Sequence, residues 1–300
     1  MSFLTIFSAP KPFTNPHIAT IQRNALQSWL HLSDAVEVLL IGEETGLGDI
    51  ATETQVPLLN QVARNDSGTP LVSSIFSLAR QHSHSPLLAY VNADMLFLPD
   101  FVQAAEAVVK QLEHFLVIGQ RWDLDQRTLL DFSPGWETHL RTDTTRRGRL
   151  HTPSGSDYFI FPRNLFIEMP DFAIGRAGWD NWMIYYARQQ SWPVVDATPS
   201  IMAIHQDHDY SHLPGGQPHY NLAESRQNES LAGGATSLFM VLDSDRQLVD
   251  GQIRSPKLSL LRLLRQAEVH LNPPGGKPGQ VQKSLARQAR RLRRRISGTL

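Results

Sequence analysis

Short apolar runs, each followed by a segment of helical spacing, constrain this 300-residue chain more than any other feature. Phe3-Leu-Thr-Ile-Phe7 ends at Ser8-Ala-Pro-Lys-Pro and reads as a first buried strand. In residues 16–32, Ile18, Ile21, Leu26, Trp29 and Leu30 recur at helical intervals, and Asn15 is placed to cap that helix just ahead of Pro16. Val36-Glu-Val-Leu-Leu-Ile41, closed by Gly42, is a second strand, and Val56-Pro-Leu-Leu59 a short third. Residues 70–82 are helical, and Leu87-Leu-Ala-Tyr-Val91 lacks polar alternation, as a strand covered on both faces does. Asp100 is expected to cap a helix reaching about residue 112, before the strand Phe115-Leu-Val-Ile118. This alternation predicts an α/β, Rossmann-type, mostly parallel sheet with helices on both faces. Ligands bind such sheets beyond the carboxyl ends of the strands, so polar residues there are the candidates for chemistry.

The formal net charge of -1 hides an uneven distribution. Residues 281–296 hold seven basic residues and no acidic one, which leaves -8 for the rest. Val281, Leu285, Ala289, Leu292 and Ile296 recur at intervals of three and four, giving a helix with a thin apolar stripe and a broad cationic face. Such a helix suits an anionic membrane surface, where each basic residue contributes about 1 kcal/mol; a solvated basic tail is the alternative. No aromatic residues interleave with the arginines, so nucleic acid is not expected. The Gly/Pro-rich stretch Asn272-Pro-Pro-Gly-Gly-Lys-Pro-Gly279 reads as a linker. The expected organisation is a catalytic body at 1–240, a strand/helix extension at 241–271, and a linker with basic tail at 272–300. In the extension, Leu260, Leu261, Leu263, Leu264 and Val269 mark the expected apolar side of a helix. Absence of cysteine excludes disulfides, thiolate metal sites and a Cys nucleophile, and fits a reducing compartment. No window approaches the roughly 18 apolar residues of a membrane span, and the N-terminus has no basic residues ahead of its apolar stretch. The expected location is cytoplasmic, peripheral at the inner face of the membrane.

Three groups of residues carry candidate chemistry. After the central strand, Asn92-Ala93-Asp94 puts two polar side chains one residue apart, suited to a ribose and to a hard divalent cation such as Mg²⁺ or Mn²⁺, and equally to a capping turn. Asp180, flanked by Trp179 and Asn181 at a helix start, pairs a carboxylate with aromatic surface, as sugar sites do; a plain helix cap is the other reading. The late run from His205 through Asp207, His208, Asp209 and Tyr210 to His212 concentrates imidazoles and carboxylates able to hold a metal or a diphosphate. Asp157 opens the polar start of a further strand. Residues 133–154, polar and containing Arg141, Arg146, Arg147 and Arg149, are expected to form a long loop, either a lid that grips a diphosphate or a solvated segment.

The run Tyr90-Val-Asn-Ala-Asp-Met-Leu-Phe-Leu-Pro-Asp-Phe101 resembles the metal-binding segment of GT-A fold glycosyltransferases, where an Asp-x-Asp motif follows a hydrophobic strand. Ala63-Arg64-Asn65 and Ala79 resemble the segment preceding that motif in the large inverting family of these enzymes. Gly178-Trp-Asp-Asn-Trp-Met-Ile-Tyr-Tyr-Ala-Arg188 is similar to its catalytic helix start, and the resemblance extends over residues 3–212. It implies a GT-A-like transferase that uses a nucleotide-diphosphate sugar, a glycan or lipid-linked hydroxyl acceptor, and Mn²⁺ or Mg²⁺. Asp94 with His205 or His208 would hold the metal, Asp180 would act as base, and Asp157, Trp179 and Asn181 would contact sugar. Asn92, Ser8, Lys11, Glu43 and Arg64 are candidates for the nucleotide. Asn92 departs from the motif by replacing its first Asp, which removes one negative charge from the metal site. A retaining outcome, a sugar-nucleotidyltransferase and a non-catalytic binding module are the alternatives.

Overall fold

The computed structural model describes residues 2–208 and 222–298. In chain order the first half holds β1 (Leu4–Ser8), α1 (Pro16–Leu30), β2 (Val36–Ile41), α2 (Leu47–Thr54), β3 (Leu58–Leu59), α3 (Val72–His82), β4 (Leu87–Val91), β5 (Met95–Leu96), α4 (Asp100–Val109), β6 (Leu116–Ile118), β7 (Arg121–Leu124) and α5 (Trp136–Arg147). The second half holds β8 (Arg149–Leu150), β9 (Tyr158–Pro162), α6 (Trp179–Gln189), β10 (Val194–Asp196), β11 (Ala203–Gln206), α7 (Ala223–Leu231), β12 (Arg246–Val249), β13 (Gln252–Arg254), α8 (Leu260–Leu271) and α9 (Gln280–Ile296).

The main sheet runs β13-β12-β10-β6-β9-β4-β1-β2-β3. It is mostly parallel, with β9 antiparallel to both β4 and β6, and β13 antiparallel to β12. β1 and β4 are buried at every position, as continuous apolar runs require when both sheet faces are covered. One face packs α1, α2 and α4 through Leu26, Trp29, Ile50, Phe101 and Ala105. The other packs α3 and α6 through Ile75, Phe76, Trp182 and Met183. The α/β class and the helices on both faces are as expected. Asn15 caps α1 as expected, accepting from the backbone N–H groups of His17 and Ile18. The extension continues the same sheet, because β12 lies parallel to β10. Its hairpin turns at Asp250-Gly251, both at positive φ, the conformation of a tight two-residue turn.

A second, smaller sheet, β5-β11-β7-β8, lies at the carboxyl ends of the central strands. β11 runs antiparallel to β5 and parallel to β7, with His205 opposite Met95 and Asp123. It brings the late histidines to the turn after β4.

Three local expectations are corrected. Pro99, not Asp100, is the N-cap residue of α4. Asp100 is drawn away to Arg141 Nη2 at 2.6 Å and the Met202 N–H at 3.3 Å. Residues 133–154 are not one long loop, because α5 occupies their centre. Trp136, Leu140 and Thr144 form a buried stripe four residues apart, Arg146 and Arg147 both pair with Asp143, and Arg141 pairs with Asp100. Finally, α8 buries Arg262, Arg265 and Glu268, while Leu260 and Leu263, expected inside, are exposed.

Helices α8 and α9 form a hairpin built on that reversed pattern. Glu268 accepts from Arg265 on its own helix at 2.9 Å, and from Arg290 at 2.7 Å and Arg293 at 3.1 Å on α9. Arg262 donates to Asp196 and to the carbonyls of Leu242 and Ser244. Arg265 also grips Asp243 through its Nε at 2.9 Å. α9 therefore buries Ala286 and Arg293, while Val281, Leu285, Leu292 and Ile296 face outward. Among the described residues, no helix is long and apolar enough to cross a membrane.

Candidate active site

The polar residues gather where the parallel strands end. The turn after β4 is closed by Met95 N–H donating to the Asn92 carbonyl at 3.1 Å. It is locked from outside by Gln206, a fully buried residue whose backbone and side-chain N–H groups both donate to the Asp94 carbonyl, at 3.2 and 3.1 Å. Asp94 is thereby fixed, 7% exposed, at the floor of the site.

Three groups surround its carboxylate. Lys11 Nζ lies 3.4 Å and His208 Nε2 3.1 Å from Asp94 Oδ2, and His205 Nε2 lies 4.0 Å from it. Burial alone pushes the Asp94 carboxyl up, but Lys11, His208 and His205 together hold it well below the usual range, so it is an anion. Its second oxygen, Oδ1, is buried without a hydrogen-bond partner among the described residues. One ligand atom each from Asp94, His205 and His208 lies within 4.8 Å of the others. That geometry and the orphaned oxygen fit a divalent cation. Two imidazole nitrogens beside one carboxylate suit Mn²⁺ better than Mg²⁺, which prefers an all-oxygen shell.

Asn92 is turned elsewhere. Its side-chain amide donates to Asp157 Oδ1 at 2.7 Å, and its backbone N–H to the Asp157 carbonyl at 2.9 Å. Arg121 holds the other Asp157 oxygen at 2.9 Å and reaches Asp123 Oδ1 with its Nε, also at 2.9 Å. Burial would lower the Arg121 pKa, but Asp157 and Asp123 raise it, so this guanidinium remains charged. Asp123 also contacts His151 at 2.8 Å and Arg149 at 3.6 Å, and lies 3.7 Å from His205 Nδ1. Burial raises the Asp123 carboxyl, yet His151 and Arg121 bring it far below the ordinary value.

Asp180 lies in the first turn of α6 and takes the Gly178 N–H on Oδ1 at 3.2 Å. Burial first, and then the Asp157 charge, push it up to about 6 against the backbone N–H groups that favour its ionised form. Gly155 lies over it so closely that a Cβ there would stand 3.1 Å from Asp180 Oδ2. Burial pushes the Tyr90 hydroxyl up, and the charges of Asp94, Asp157 and Asp180 push it in the same direction.

The remaining sequence candidates divide. Ser8 is fully buried and its hydroxyl donates to the Val91 carbonyl at 2.7 Å, so it joins two strands rather than facing a ligand. Trp179, 4% exposed, packs edge-on against Tyr90 at 4.9 Å and belongs to the core, leaving no open ring face for a sugar. Asn181 donates to the Ser154 and Phe239 carbonyls and ties the 154 loop to α6. Glu43 pairs with Arg64 at 3.1 Å, and Arg64 also holds Glu44 at 2.9 Å, at the outer ends of β2 and β3. Asp209, Tyr210 and His212 lie outside the described residues. Sequence reasoning missed Arg121, Asp123, His151 and Tyr90. The first two stand two residues apart on one strand, hence on one face, which is the one local signal that links them.

No protein-family model matches this chain. No curated protein matches it either. Among solved structures it is similar to glucosyl-3-phosphoglycerate synthase from Mycobacterium tuberculosis in complex with Mn²⁺, UDP and phosphoglyceric acid. That match has 16% identity and a TM-score of 0.49, over 86% of this chain and 88% of the other. The mannosyltransferase PcManGT from Pyrobaculum calidifontis, in complex with GDP-Man and Mn²⁺, matches at 12% identity and a TM-score of 0.42, over 97% and 69%. TarS from S. aureus in complex with UDP-GlcNAc matches at 10% and 0.42, over 100% and 74%. These likenesses are distant and give no residue of this chain a role.

Proposed function

We propose that this protein is a GT-A-like glycosyltransferase that moves a sugar from a nucleotide-diphosphate donor to a hydroxyl acceptor with inversion. The observation that carries this reading is one mouth of parallel strands holding two kinds of carboxylate. Asp94 is an anion among imidazoles and an amine, while Asp180 is poised near pH 6. That division matches a reaction needing both a diphosphate-binding cation site and a base. Asp180 takes the proton of the acceptor hydroxyl as that oxygen bonds to the anomeric carbon. The bond from that carbon to the phosphate oxygen breaks, and the nucleoside diphosphate leaves with the electron pair.

Asp94, His205 and His208 would hold a Mn²⁺ ion, which when bound supplies positive charge to the leaving diphosphate. Asp157, fixed between Asn92 and Arg121, is placed to orient sugar hydroxyls. Arg149, on the exposed side of Asp123, is the one arginine of the 133–154 stretch whose ion pair reaches this cluster. The segment after β1 has no glycine before Phe13 and sends Lys11 to Asp94, which speaks against the nucleotidyltransferase alternative. The outward leucines and cations of the α8–α9 hairpin support a place at an anionic membrane surface bearing a glycan or lipid-linked acceptor.

The test is release of nucleoside diphosphate from a panel of nucleotide sugars with Mn²⁺ present. Turnover that falls by about 10²-fold or more in Asp180→Asn, within the range for loss of an acid–base group, is expected. Absence of release from every donor, with the acceptor classes above supplied, would sink the enzymatic reading in favour of a binding module.

A further inference from the structure

Lys11 is held by a purpose-fitted backbone clamp. Its N–H donates to Gln22 Oε1 at 2.6 Å, and Gln22 Nε2 returns to its carbonyl at 2.9 Å, with Gln22 itself 3% exposed. The amine thus stands 3.4 Å from Asp94 Oδ2 and 3.1 Å from His208 Nε2, while those two atoms are 3.1 Å apart. No placement of protons satisfies all three edges of this triangle. If the ammonium donates to both neighbours, the histidine–aspartate edge sets two lone pairs against each other. If the imidazole N–H points to Asp94, it faces the ammonium instead. A divalent ion on Asp94 and His208 would satisfy their edge and displace the amine.

The charges agree. Asn92 brings no charge, and Asp157 is turned to Arg121, so Asp94 is the motif's one carboxylate at this point, and Lys11 is the amine set against it. Amine and metal ion therefore answer the same requirement. We propose that Lys11 is an exchangeable internal cation. It competes with a divalent ion for Asp94, and it turns to an incoming diphosphate so that a nucleoside diphosphate binds without metal. The ligand in this proposal rests on the transferase reading.

Calorimetric titration of the full chain with UDP, GDP and TDP, in EDTA and in Mn²⁺, reads the second half. Electron paramagnetic resonance of free Mn²⁺, without nucleotide, reads the first. One diphosphate is expected to bind in EDTA, and Lys11→Gln to weaken that binding at least about tenfold while Lys11→Arg retains it. In the resonance experiment Lys11→Gln is expected to bind Mn²⁺ about tenfold more tightly than the unaltered chain, because a competing charge is gone. Diphosphate binding that requires Mn²⁺ overturns the proposal and leaves the transferase reading standing. Unchanged Mn²⁺ affinity in Lys11→Gln also overturns it. Failure of all three diphosphates in both conditions removes the transferase reading, and with it this use of Lys11.

Discussion

The burial that makes Asp180 costly to the fold is the same feature that would suit it to the proposed role of base. Its carboxyl is raised to about 6 by burial and by Asp157, so the folded state prefers it protonated. As the proposed base it would work only when ionised, so the rate with the nucleotide-sugar panel should climb as pH rises through about 6 and level off above it. A pH–rate profile flat from 5 to 8 would exclude Asp180 as the base. Stability runs the other way. A carboxyl whose folded pKa exceeds its unfolded value of about 3.9 favours the fold below that value and loses the contribution as pH rises through 6. Asp180→Asn should therefore stabilise the protein by about 2–3 kcal/mol at pH 8 and by little at pH 4, read from urea melts. The sequence made Asp94, His205 and His208 legible because their types and their positions beside apolar strands are local facts. It misled about Trp179 and Ser8, because a tryptophan beside a carboxylate has the same spelling whether its ring faces a sugar or, as here, Tyr90.

Hydropathy failed most clearly at the scale of the element, in α8. Leucines normally point inward, but the hairpin is organised by Glu268, whose carboxyl three arginines hold below its ordinary value despite burial. A spacing of three residues from Arg262 to Arg265 to Glu268 was visible in the sequence. Its burial depends on Asp196 and Asp243, from elements far upstream, which no local pattern announces. The polar helix α5 was missed for a related reason: its anchor is a narrow Trp136–Leu140 stripe rather than a broad apolar face. Glu268→Ala should free α9, since removing one partner of a buried ion pair costs about 3–5 kcal/mol. Protease cutting within residues 272–279 should accelerate at least tenfold while the thermal midpoint of the sheet moves little. Equal cutting in the variant would show that α9 is held by something else. The depressed Glu268 pKa also fixes the direction with acid. The clamp is complete above the unfolded value of about 4.3 and weakens as pH falls through the lower folded one.

Across the whole molecule, the strand-end cluster and the hairpin occupy different elements of one fold. Leu260, Leu263, Leu285 and Leu292 are 45–56% exposed, and after Glu268 the chain carries no acidic residue. Replacing those four leucines by serine should lower recovery with phosphatidylserine vesicles at least tenfold in flotation, leaving diphosphate binding unchanged. Unaltered flotation would assign the attachment to charge alone, and loss on adding RNA would redirect it to nucleic acid. The small sheet carries a different consequence. His205 stands opposite Met95, next to Asp94, across more than a hundred residues of chain, and Lys11 arrives from the far N-terminal end. The cradle therefore cannot form before the chain has been made past residue 208, nor in one that has folded only its first half. Any ligand that occupies it engages distant parts of the polypeptide together and stabilises them by mass action, so occupancy certifies that the N-terminal segment has docked against strands from the second half of the body.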